Sequence, residues 1–324
     1  MKCLGCYKEV AESYCAPCRN KLFEKSKIVS VLDFDAPKTD NLAVFQEHSR
    51  RLSISGVQLK YSLRLENKKL VLTDKNGQYI LKPIPPSRHQ VNGDDAPENE
   101  HLTMQIASQV FGINTAHNAL ILFKDGQPAY ITKRFDVKTD GSKYQQEDFA
   151  QILNRSKYSH GATFKYDATY EEIGLAIKKY VAASMPALEN FFRLLVFNYV
   201  ISNGDAHLKN FSLIRTETSE YQLSPAYDLL STIIHTPSES DTALDLFKGS
   251  LYAGHHGTYG HYGRTDFLEL SGRLGIIPKR AERIIDHFSS KHDSMKKLID
   301  TSFLSPPVKQ IFSDNLADKL KRIS

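Results

Sequence analysis

The sequence predicts an α+β protein with a small antiparallel sheet in its first half and mostly helices in its second. Between residues 51 and 135, short apolar runs are separated by turn signals such as Asn-Gly, a pattern typical of β-hairpins. From Glu147 onward, apolar residues recur at helical spacing. All four cysteines precede both parts, within the first eighteen residues, which indicates a small additional module.

These patterns divide the chain into consecutive segments. We expect a cysteine module, a connector, a sheet lobe and a helical lobe, over residues 1–27, 28–50, 51–135 and 136–324. A chain of this length can bury a substantial core in a two-lobed arrangement.

The composition narrows the class of protein. Lys and Arg number 42 against 37 Asp and Glu, so the net charge is +5 and the sequence pI is about 8.8. This mild excess is weak evidence for nucleic-acid binding and is compatible with a nucleotide site. The sequence contains no run of eighteen apolar residues and opens on no signal-peptide pattern, so we expect a soluble cytoplasmic protein without a membrane partner.

Three hairpins are predicted in the sheet lobe. They span residues 52–65 with a turn at Gly56, residues 69–73 joined to 78–83, and residues 119–123 joined to 128–136.

The second hairpin and the helix that follows it carry two residues of interest. Lys82 ends a strand, where it is either a phosphate-binding lysine or an ordinary exposed one. A helix is predicted over residues 98–110, with Glu100 in its first turn. Glu100 either pairs with Lys82 or complements the helix dipole.

The helical lobe is predicted from apolar periodicity and from Gly and Pro breaks. Helices are expected over residues 147–153, 169–182, 187–202, 266–274, 278–291 and 306–324, the last capped near Ser313. Three histidines lie among glycines in residues 254–263. With no carboxylate or cysteine close by, they favour a substrate-side or structural loop over a metal site.

One polar stretch, residues 203–210, indicates phosphoryl transfer. Asp205 and Asn210 are five positions apart, and Asp228 follows Asn210 by eighteen residues. In phosphoryl transfer, a first Asp accepts or orients the proton of an attacking hydroxyl, while an Asn and a second Asp hold Mg²⁺ against the nucleotide phosphates. The alternative is an ordinary polar turn, since the D-x4-N spacing also recurs by chance.

The four cysteines form two C-x2-C pairs, Cys3 with Cys6 and Cys15 with Cys18. Thiolates at this spacing can converge on one tetrahedral Zn²⁺. We expect a structural zinc site that staples a segment too small to fold alone. Redox dithiols or two disulfides are the alternative, which a reducing compartment disfavours.

Seven segments, in order along residues 51–232, resemble one family. They are S-x-x-G-x-Q-x-K at residues 53–60, I-L-K-P at 80–83, N-E-H at 99–101, K-R-F-D at 133–136, E-D-x-x-Q at 147–151, N-x-D-x-H-x-K-N-x-S at 203–212 and P-A-Y-D at 225–228. The set resembles the HipA-type serine/threonine kinases, which are the toxins of bacterial HipBA toxin–antitoxin systems.

The resemblance implies a two-lobed protein-kinase-like fold that uses ATP and Mg²⁺. It implies that Asp205 is the catalytic base and that Asn210 and Asp228 bind Mg²⁺. The nucleotide site implied by the same motifs includes Gly56, Gln58, Lys60, Lys82, Glu100, the backbones of Lys133 and Phe135, Asp136 and His207.

The resemblance also implies self-phosphorylation in the glycine turn. Ser53 falls on the serine that such kinases modify, and Ser55 gives the S-I-S-G form of shorter HipT-like members. A phosphate adds about −1.5 to −2 charges. Beside the nucleotide phosphates, that charge should weaken ATP binding.

The partners implied are a protein substrate, with aminoacyl-tRNA synthetases as the known kind of target, and a HipB-like antitoxin or HipS-like companion. DNA would be contacted only indirectly, through the antitoxin. Two features depart from the family pattern. The cysteine module stands in place of the N-terminal subdomain of full-length HipA, and Gly204 replaces the Arg that precedes the catalytic Asp in eukaryotic kinases.

Two other functions fit parts of the sequence. Small-molecule kinases of the aminoglycoside or choline type also use G-D-x4-N followed by a later Asp. A zinc-finger DNA-binding regulator on an inactive kinase scaffold is the alternative from another class. The presence of Lys82, Asp205, Asn210 and Asp228 argues against that second alternative.

Overall fold

The protein is described by a computed structural model that covers residues 1–37, 59–85, 91–138 and 140–324. Within these ranges the strands are β1 (Tyr61–Glu66), β2 (Lys69–Leu72), β3 (Tyr79–Pro83), β4 (Asn118–Leu122), β5 (Pro128–Lys133), β6 (Gln146–Asp148), β7 (Ser212–Arg215) and β8 (Tyr221–Leu223). The first five form an antiparallel sheet in the order β2-β1-β3-β5-β4, and the last three form a smaller sheet in the order β6-β7-β8.

The predicted pairing of residues 69–73 with 78–83 is wrong. β2 pairs instead with β1, across a two-residue turn in which Asn67 and Lys68 both have positive φ, 46° and 66°. Such a turn matches the twist of a hairpin. The sequence contained two turn signals close together, and the shorter turn forms the hairpin.

β3 pairs with the opposite edge of β1, and then with β5. The chain reaches that edge through Gly77, where an added Cβ would lie 1.7 Å from the Ser62 hydroxyl oxygen. A side chain at position 77 would therefore clash with β1. As a result β3, which carries Lys82, is the central strand of the five.

The helices are α1 (Ala16–Phe23), α2 (Ala96–Phe111), α3 (Phe149–Ile152), α4 (Lys157–His160), α5 (Tyr170–Tyr180), α6 (Ser184–Val200), α7 (Gly254–Tyr259), α8 (Arg264–Leu274), α9 (Pro278–Ser289), α10 (His292–Thr301) and α11 (Pro306–Ile323). Local signals account for their ends. Pro97 lies in the first turn of α2, and Gly112 ends the helix with a φ of 61°. Thr169 and Glu172 form a capping box at the start of α5.

One predicted helix start and one predicted helix cap are wrong. Residues 146–148 form strand β6, and the helix begins after Asp148, whose side chain caps it. The last helix begins at Pro306 as predicted, but its cap is Ser305, whereas Ser313 lies inside the helix and donates its hydroxyl to the Lys309 carbonyl. Both errors reflect competition between local signals, since Ser and Asp serve as caps and also occur within helices.

The apolar side chains form two clusters. One fills the helical part around α6, where Phe191, Phe192 and Phe197 are fully buried. The other covers one face of the five-stranded sheet and includes Leu22 and Phe23 of α1. The cysteine module is therefore packed onto the sheet. The two-lobed α+β architecture predicted from the sequence is confirmed.

Across residues 1–37, 59–85, 91–138 and 140–324, every helix is too short or too polar to span a bilayer.

Candidate active site

A cleft of about 300 Å³ opens between the sheet and the helical part. Its walls bring together residues that are far apart in sequence. They include Lys60, Lys82, Asn203, Asp205, Asn210 and Asp228. Five of these six were predicted as site residues, and Asn203 belongs to the predicted loop.

Lys82 connects the two lobes at the back of the cleft. Its Nζ lies 2.5 Å from a carboxylate oxygen of Glu100 and 2.5 Å from one of Asp228. Lys82 is only 2% exposed, and burial alone would lower its pKa. The carboxylates of Asp228 and Glu100 instead raise that pKa above its ordinary value, so the amine stays charged.

Glu100 reaches Lys82 because α2 packs across β4 and β5, and β5 is hydrogen-bonded to β3, the strand that carries Lys82. Glu100 lies beyond the first turn of α2 and is fully buried, so it does not serve the dipole-complementing role that the sequence left open. Of the two alternatives for this residue, the pair with Lys82 is the one that forms.

Asp228 is held between two lysines. Its second carboxylate oxygen accepts a hydrogen bond from Lys60 at 3.0 Å. Burial alone would raise the pKa of Asp228, but Lys60 and Lys82 hold it well below its ordinary value. Its φ of 54° lies in the left-handed region, which Asp and Asn tolerate better than most residues.

The segment before Asp228 is tied to both lobes. The backbone of Ala226 bonds with that of Asn114 at 2.8 Å and that of Ala116 at 2.9 Å. The Tyr227 hydroxyl donates to the Lys209 carbonyl at 2.9 Å. Asp228 is thereby placed beside the 203–210 loop.

Side-chain amides close the 203–210 loop. Asn203 donates to the side chain of Asn198 at 2.8 Å and accepts from the Asp205 backbone at 3.3 Å. The Asn210 side-chain oxygen accepts from the backbone N–H of His207 at 3.1 Å. These bonds hold Asp205 and Asn210 at opposite ends of one tight turn.

Gly204 is required by close packing. Its N–H donates to the Thr232 hydroxyl at 2.7 Å, and an added Cβ would lie 2.3 Å from the Ser240 carbonyl oxygen. Any side chain at position 204 would collide with this backbone. The absence of an Arg before Asp205 is therefore a consequence of the fold.

Asp205 already binds a hydroxyl group. The Tyr166 hydroxyl donates to Asp205 Oδ1 at 2.6 Å, and Lys165 Nζ lies 3.9 Å from the same oxygen. His207 Nε2 lies 3.9 Å from Oδ2. Burial lowers the pKa of His207 to about 4, so this imidazole is neutral near pH 7.

The arrangement has the parts of a phosphoryl-transfer site: a lysine paired with a helix glutamate, a base candidate, and an Asn–Asp pair. A family model of the HipA-like C-terminal domain matches residues 52–295, about three quarters of the chain. The chain belongs to this HipA-like family. The resemblance inferred from the seven segments is thus confirmed.

Relatives of this HipA-like chain include named kinases. A Haemophilus influenzae protein named "Putative kinase" is 27% identical over 283 residues, which are 82% of this chain and 80% of that protein. The serine/threonine-protein kinase toxin HipA of Shewanella oneidensis is 26% identical over 223 residues, 63% of this chain and 49% of the toxin. The HipA-like chain thus spans about half the length of that toxin. These relatives indicate a kinase-like phosphotransferase.

A solved structure shows the same fold. A chain in the complex of HipA, HipB and operator DNA from Shewanella oneidensis aligns with a TM-score of 0.64 and 18% identity, over 89% of the HipA-like chain and 71% of that chain. At this identity the likeness concerns the fold alone.

Some predicted nucleotide-site residues lie away from the described cleft lining. The Lys133 side chain pairs with Glu24 at 2.8 Å, and Asp136 is bonded by Arg134 at 2.9 Å. The Phe135 ring lies 5.6 Å from that of Tyr227, beside Asp228. Ser53, Ser55, Gly56 and Gln58 fall outside the described residues, so their predicted roles stay predictions.

Sequence reasoning missed several lining residues of the HipA-like site. Lys165 and Tyr166 come from a polar segment about forty positions before Asp205, while Thr232 and Glu239 follow Asp228. The family motifs do not include them, and a lone Lys-Tyr pair in a loop has no spacing signal. Only the tertiary contacts identify these residues.

The four cysteine sulfurs converge as a zinc site requires. They all lie within 4.8 Å of one another, and Cys6 and Cys15 are 3.6 Å apart. Four thiolates at about 2.3 Å from a tetrahedral Zn²⁺ would be roughly 3.8 Å apart. Backbone N–H groups of Gly5 and Cys15 point at the Cys3 sulfur, at 3.4 and 3.2 Å. Such donors stabilise a thiolate, so the cluster fits the ion.

A pH-dependent stability is expected from Glu98, in the first turn of α2. Burial raises its pKa to about 7, and the nearby Asp95 and Asp94 add to the effect. The buried Tyr7 phenol also faces it. An unfolded Glu has a pKa of about 4.3, so the folded state retains the proton at higher pH. This stabilising contribution is complete below pH 4.3 and is lost as the pH rises through 7.

Replacing Glu98 by Gln should remove this loss of stability with rising pH, because Gln does not titrate. Relative to the wild type, the free energy of unfolding of the variant should rise by roughly 2 kcal/mol between pH 5 and pH 8, measured by urea unfolding. The matched control is Glu282→Gln on α9, where the glutamate is exposed. A difference between Glu98→Gln and wild type that does not change with pH would contradict the expectation.

Proposed function

We propose that this HipA-like chain is an ATP- and Mg²⁺-dependent serine/threonine protein kinase. One observation carries the proposal: Lys82 contacts Glu100 and Asp228 at the same time, each at 2.5 Å. In kinases the strand lysine must pair with the helix glutamate while the later Asp holds the metal ion. The chain brings both carboxylates to a single lysine.

The roles of the remaining residues follow from their chemistry. Asn210 and Asp228 offer the oxygen ligands that Mg²⁺ prefers, and the bound ion would neutralise charge on the phosphates. Lys60 and Lys82 would bind phosphate oxygens. The Asp205 carboxylate would accept the proton of the attacking hydroxyl.

The macromolecular partners are proposed from the relatives. The Shewanella oneidensis structure contains HipA with HipB and operator DNA, which supports a HipB-like companion for this chain. DNA would then be contacted through that companion. A protein substrate in the cytoplasm and self-phosphorylation at Ser53 or Ser55 are part of the same proposal. A structural Zn²⁺ in the cysteine cluster completes it.

The test is the intact mass of the protein after incubation with ATP and Mg²⁺, compared with that of Asp205→Asn. We expect the wild type to gain one phosphate, mapped to Ser53 or Ser55. The variant should react about 10²–10³-fold more slowly, because it lacks the base. Asn retains an oxygen that can accept the Tyr166 hydroxyl, so the loop should keep its conformation.

Two controls sharpen this result. The starting protein must be shown to be unphosphorylated, and thermal unfolding must show that Asp205→Asn is folded. Equal phosphate gain in the two proteins would contradict the role of Asp205. Failure of the wild type to bind ATP in the presence of Mg²⁺ would contradict the proposed function as a whole.

A further inference from the structure

The lysine side chains that line the cleft lie in two places. Lys60 and Lys82 both contact Asp228, at 3.0 and 2.5 Å, on the side of the predicted metal ligands. Lys165 lies on the other side, where its Nζ is 3.9 Å from Asp205 Oδ1. Across the described parts of the chain, no ion pair ties Lys165 to a carboxylate at hydrogen-bond distance. Its amine is therefore available to a ligand.

The 203–210 loop places no charged side chain in the cleft next to Asp205. Position 204 must be glycine because the Ser240 carbonyl lies against it. Position 207 is a histidine whose side chain is buried. Lys209 is not among the described residues that line the cleft. Positive charge on the Asp205 side of the cleft thus comes from another segment of the chain.

Lys165 is held in place by its neighbour. Residues 164–166 form a single helical turn, and the Tyr166 hydroxyl at the end of this turn donates to Asp205 at 2.6 Å. The Lys165 amine also lies 4.7 Å from the centre of the Tyr166 ring. Its side chain is 20% exposed, so the amine is partly desolvated but still open to the cleft. A cation in such a place interacts strongly with a developing negative charge.

We propose that Lys165 is a catalytic residue that binds the transferred phosphoryl group from the acceptor side. This inference rests on the proposed kinase function and adds a residue to it. The acceptor hydroxyl donates to Asp205 Oδ2, the oxygen that Tyr166 leaves free. The bond from the γ-phosphorus to the oxygen of the ADP leaving group breaks, and that oxygen keeps the electron pair. A bond forms from the phosphorus to the acceptor oxygen, whose proton passes to Asp205.

Lys165 stabilises the charge on the equatorial phosphoryl oxygens during this transfer. Loss of one such contact in a preorganised site typically reduces turnover about 10²–10³-fold. Lys165→Gln should therefore lower the rate of phosphate incorporation at saturating ATP by about 100-fold. Lys165→Arg keeps the charge and should recover part of the rate.

The matched control is Lys157→Gln. Lys157 lies in the same segment, on α4, and its side chain is exposed. This control should transfer phosphate at the wild-type rate. Transfer by Lys165→Gln within threefold of the wild type would overturn the proposal.

A binding experiment separates this inference from the kinase proposal. Calorimetry would compare Mg²⁺·ADP with the Mg²⁺ complex of a non-hydrolysable ATP analogue. Lys165→Gln should bind ADP as the wild type does, and the analogue about tenfold more weakly, because only the analogue has the phosphoryl group that Lys165 contacts. Unchanged affinity for the analogue would count against Lys165.

The calorimetric comparison of ADP with the ATP analogue remains decisive if the wild type shows no phosphate transfer. In that case the kinase function fails, yet a selective loss of analogue affinity in Lys165→Gln would still support the contact. If the wild type binds neither nucleotide, both proposals are overturned.

Discussion

Replacing Asp228 by asparagine is expected to reduce phosphoryl transfer by about 10³–10⁴-fold, because the proposed Mg²⁺ would lose its charged ligand. Asn has nearly the same shape and tolerates the φ of 54° at this position. It removes only the negative charge between Lys60 and Lys82. The measurement is the rate of phosphate incorporation at saturating ATP and Mg²⁺.

The same variant should show an opposite effect on binding without metal. In the wild type, Asp228 neutralises Lys60 and Lys82, at 3.0 and 2.5 Å. In the variant Lys60 loses its carboxylate partner and Lys82 keeps only Glu100, so both amines carry more uncompensated charge and ATP without Mg²⁺ should bind more tightly than it does to the wild type. Mg²⁺ should then add little to the affinity of the variant.

Asp241 offers a closely matched control. Like Asp228 it bridges two cations, Lys319 and Arg322, and it is 27% exposed against 25% for Asp228. Asp241→Asn and Asp228→Asn should each lower the free energy of unfolding by roughly 1–3 kcal/mol. Asp241→Asn should do so without changing the rate of phosphoryl transfer. If both variants lose activity equally, the loss in Asp228→Asn reflects general destabilisation, and the metal-ligand role is contradicted.

Replacing Cys6 by serine is expected to lower the free energy of unfolding by about 3–6 kcal/mol. The zinc site would lose one of four ligands, and the module would no longer be held on the sheet. Leu22 and Phe23 are at most 2% exposed and pack on the sheet. Exposing two such side chains costs about 1.5–3 kcal/mol each. The measured zinc content should fall from about one ion per chain to near zero, and urea unfolding should show the loss of stability.

Loss of the metal should also affect the active-site helix. The Tyr7 hydroxyl, next to Cys6 in sequence, bonds with His101 at 2.9 Å, and both side chains are buried. His101 adjoins Glu100, the partner of Lys82. Nucleotide affinity should therefore fall in Cys6→Ser, although no cysteine lies in the active-site cleft.

The control for the cysteine variant is Lys8→Gln, an exposed residue of the same loop. It should retain zinc, stability and nucleotide binding. Less than about 0.5 zinc per chain in gently purified wild type would contradict the metal site itself. Full zinc occupancy in Cys6→Ser would contradict the assignment of that ligand.

Much of the site was predictable because its motifs are local. The spacing of Asp205 and Asn210 is a property of one short loop, and together with the later Asp228 it was enough to propose both residues for the site. The pairing of Lys82 with Glu100 was predictable only as one of two alternatives. Its formation depends on α2 crossing the sheet beside the central strand, which no local pattern encodes.

The prediction that residues 69–73 pair with 78–83 was wrong for a related reason. Both Asn67-Lys68 and Asn76-Gly77 are competent turns, and the hydrophobic pattern fits either hairpin. The choice is made by the contact of β3 with both β1 and β5, a long-range arrangement. Lys165 and Tyr166 were missed because they approach Asp205 from a segment about forty residues away.

Local sequence patterns predicted most of the strands and helices, the four-cysteine cluster, and Asp205, Asn210 and Asp228 as candidate site residues. These depend on side-chain type, spacing and backbone preference over a few residues. Long-range contacts in the folded chain set which carboxylates share Lys82, force glycine at position 204, and bring Lys165 beside Asp205. These depend on close packing and on charges brought within 4 Å by distant segments, and such energies arise only when the whole chain is folded.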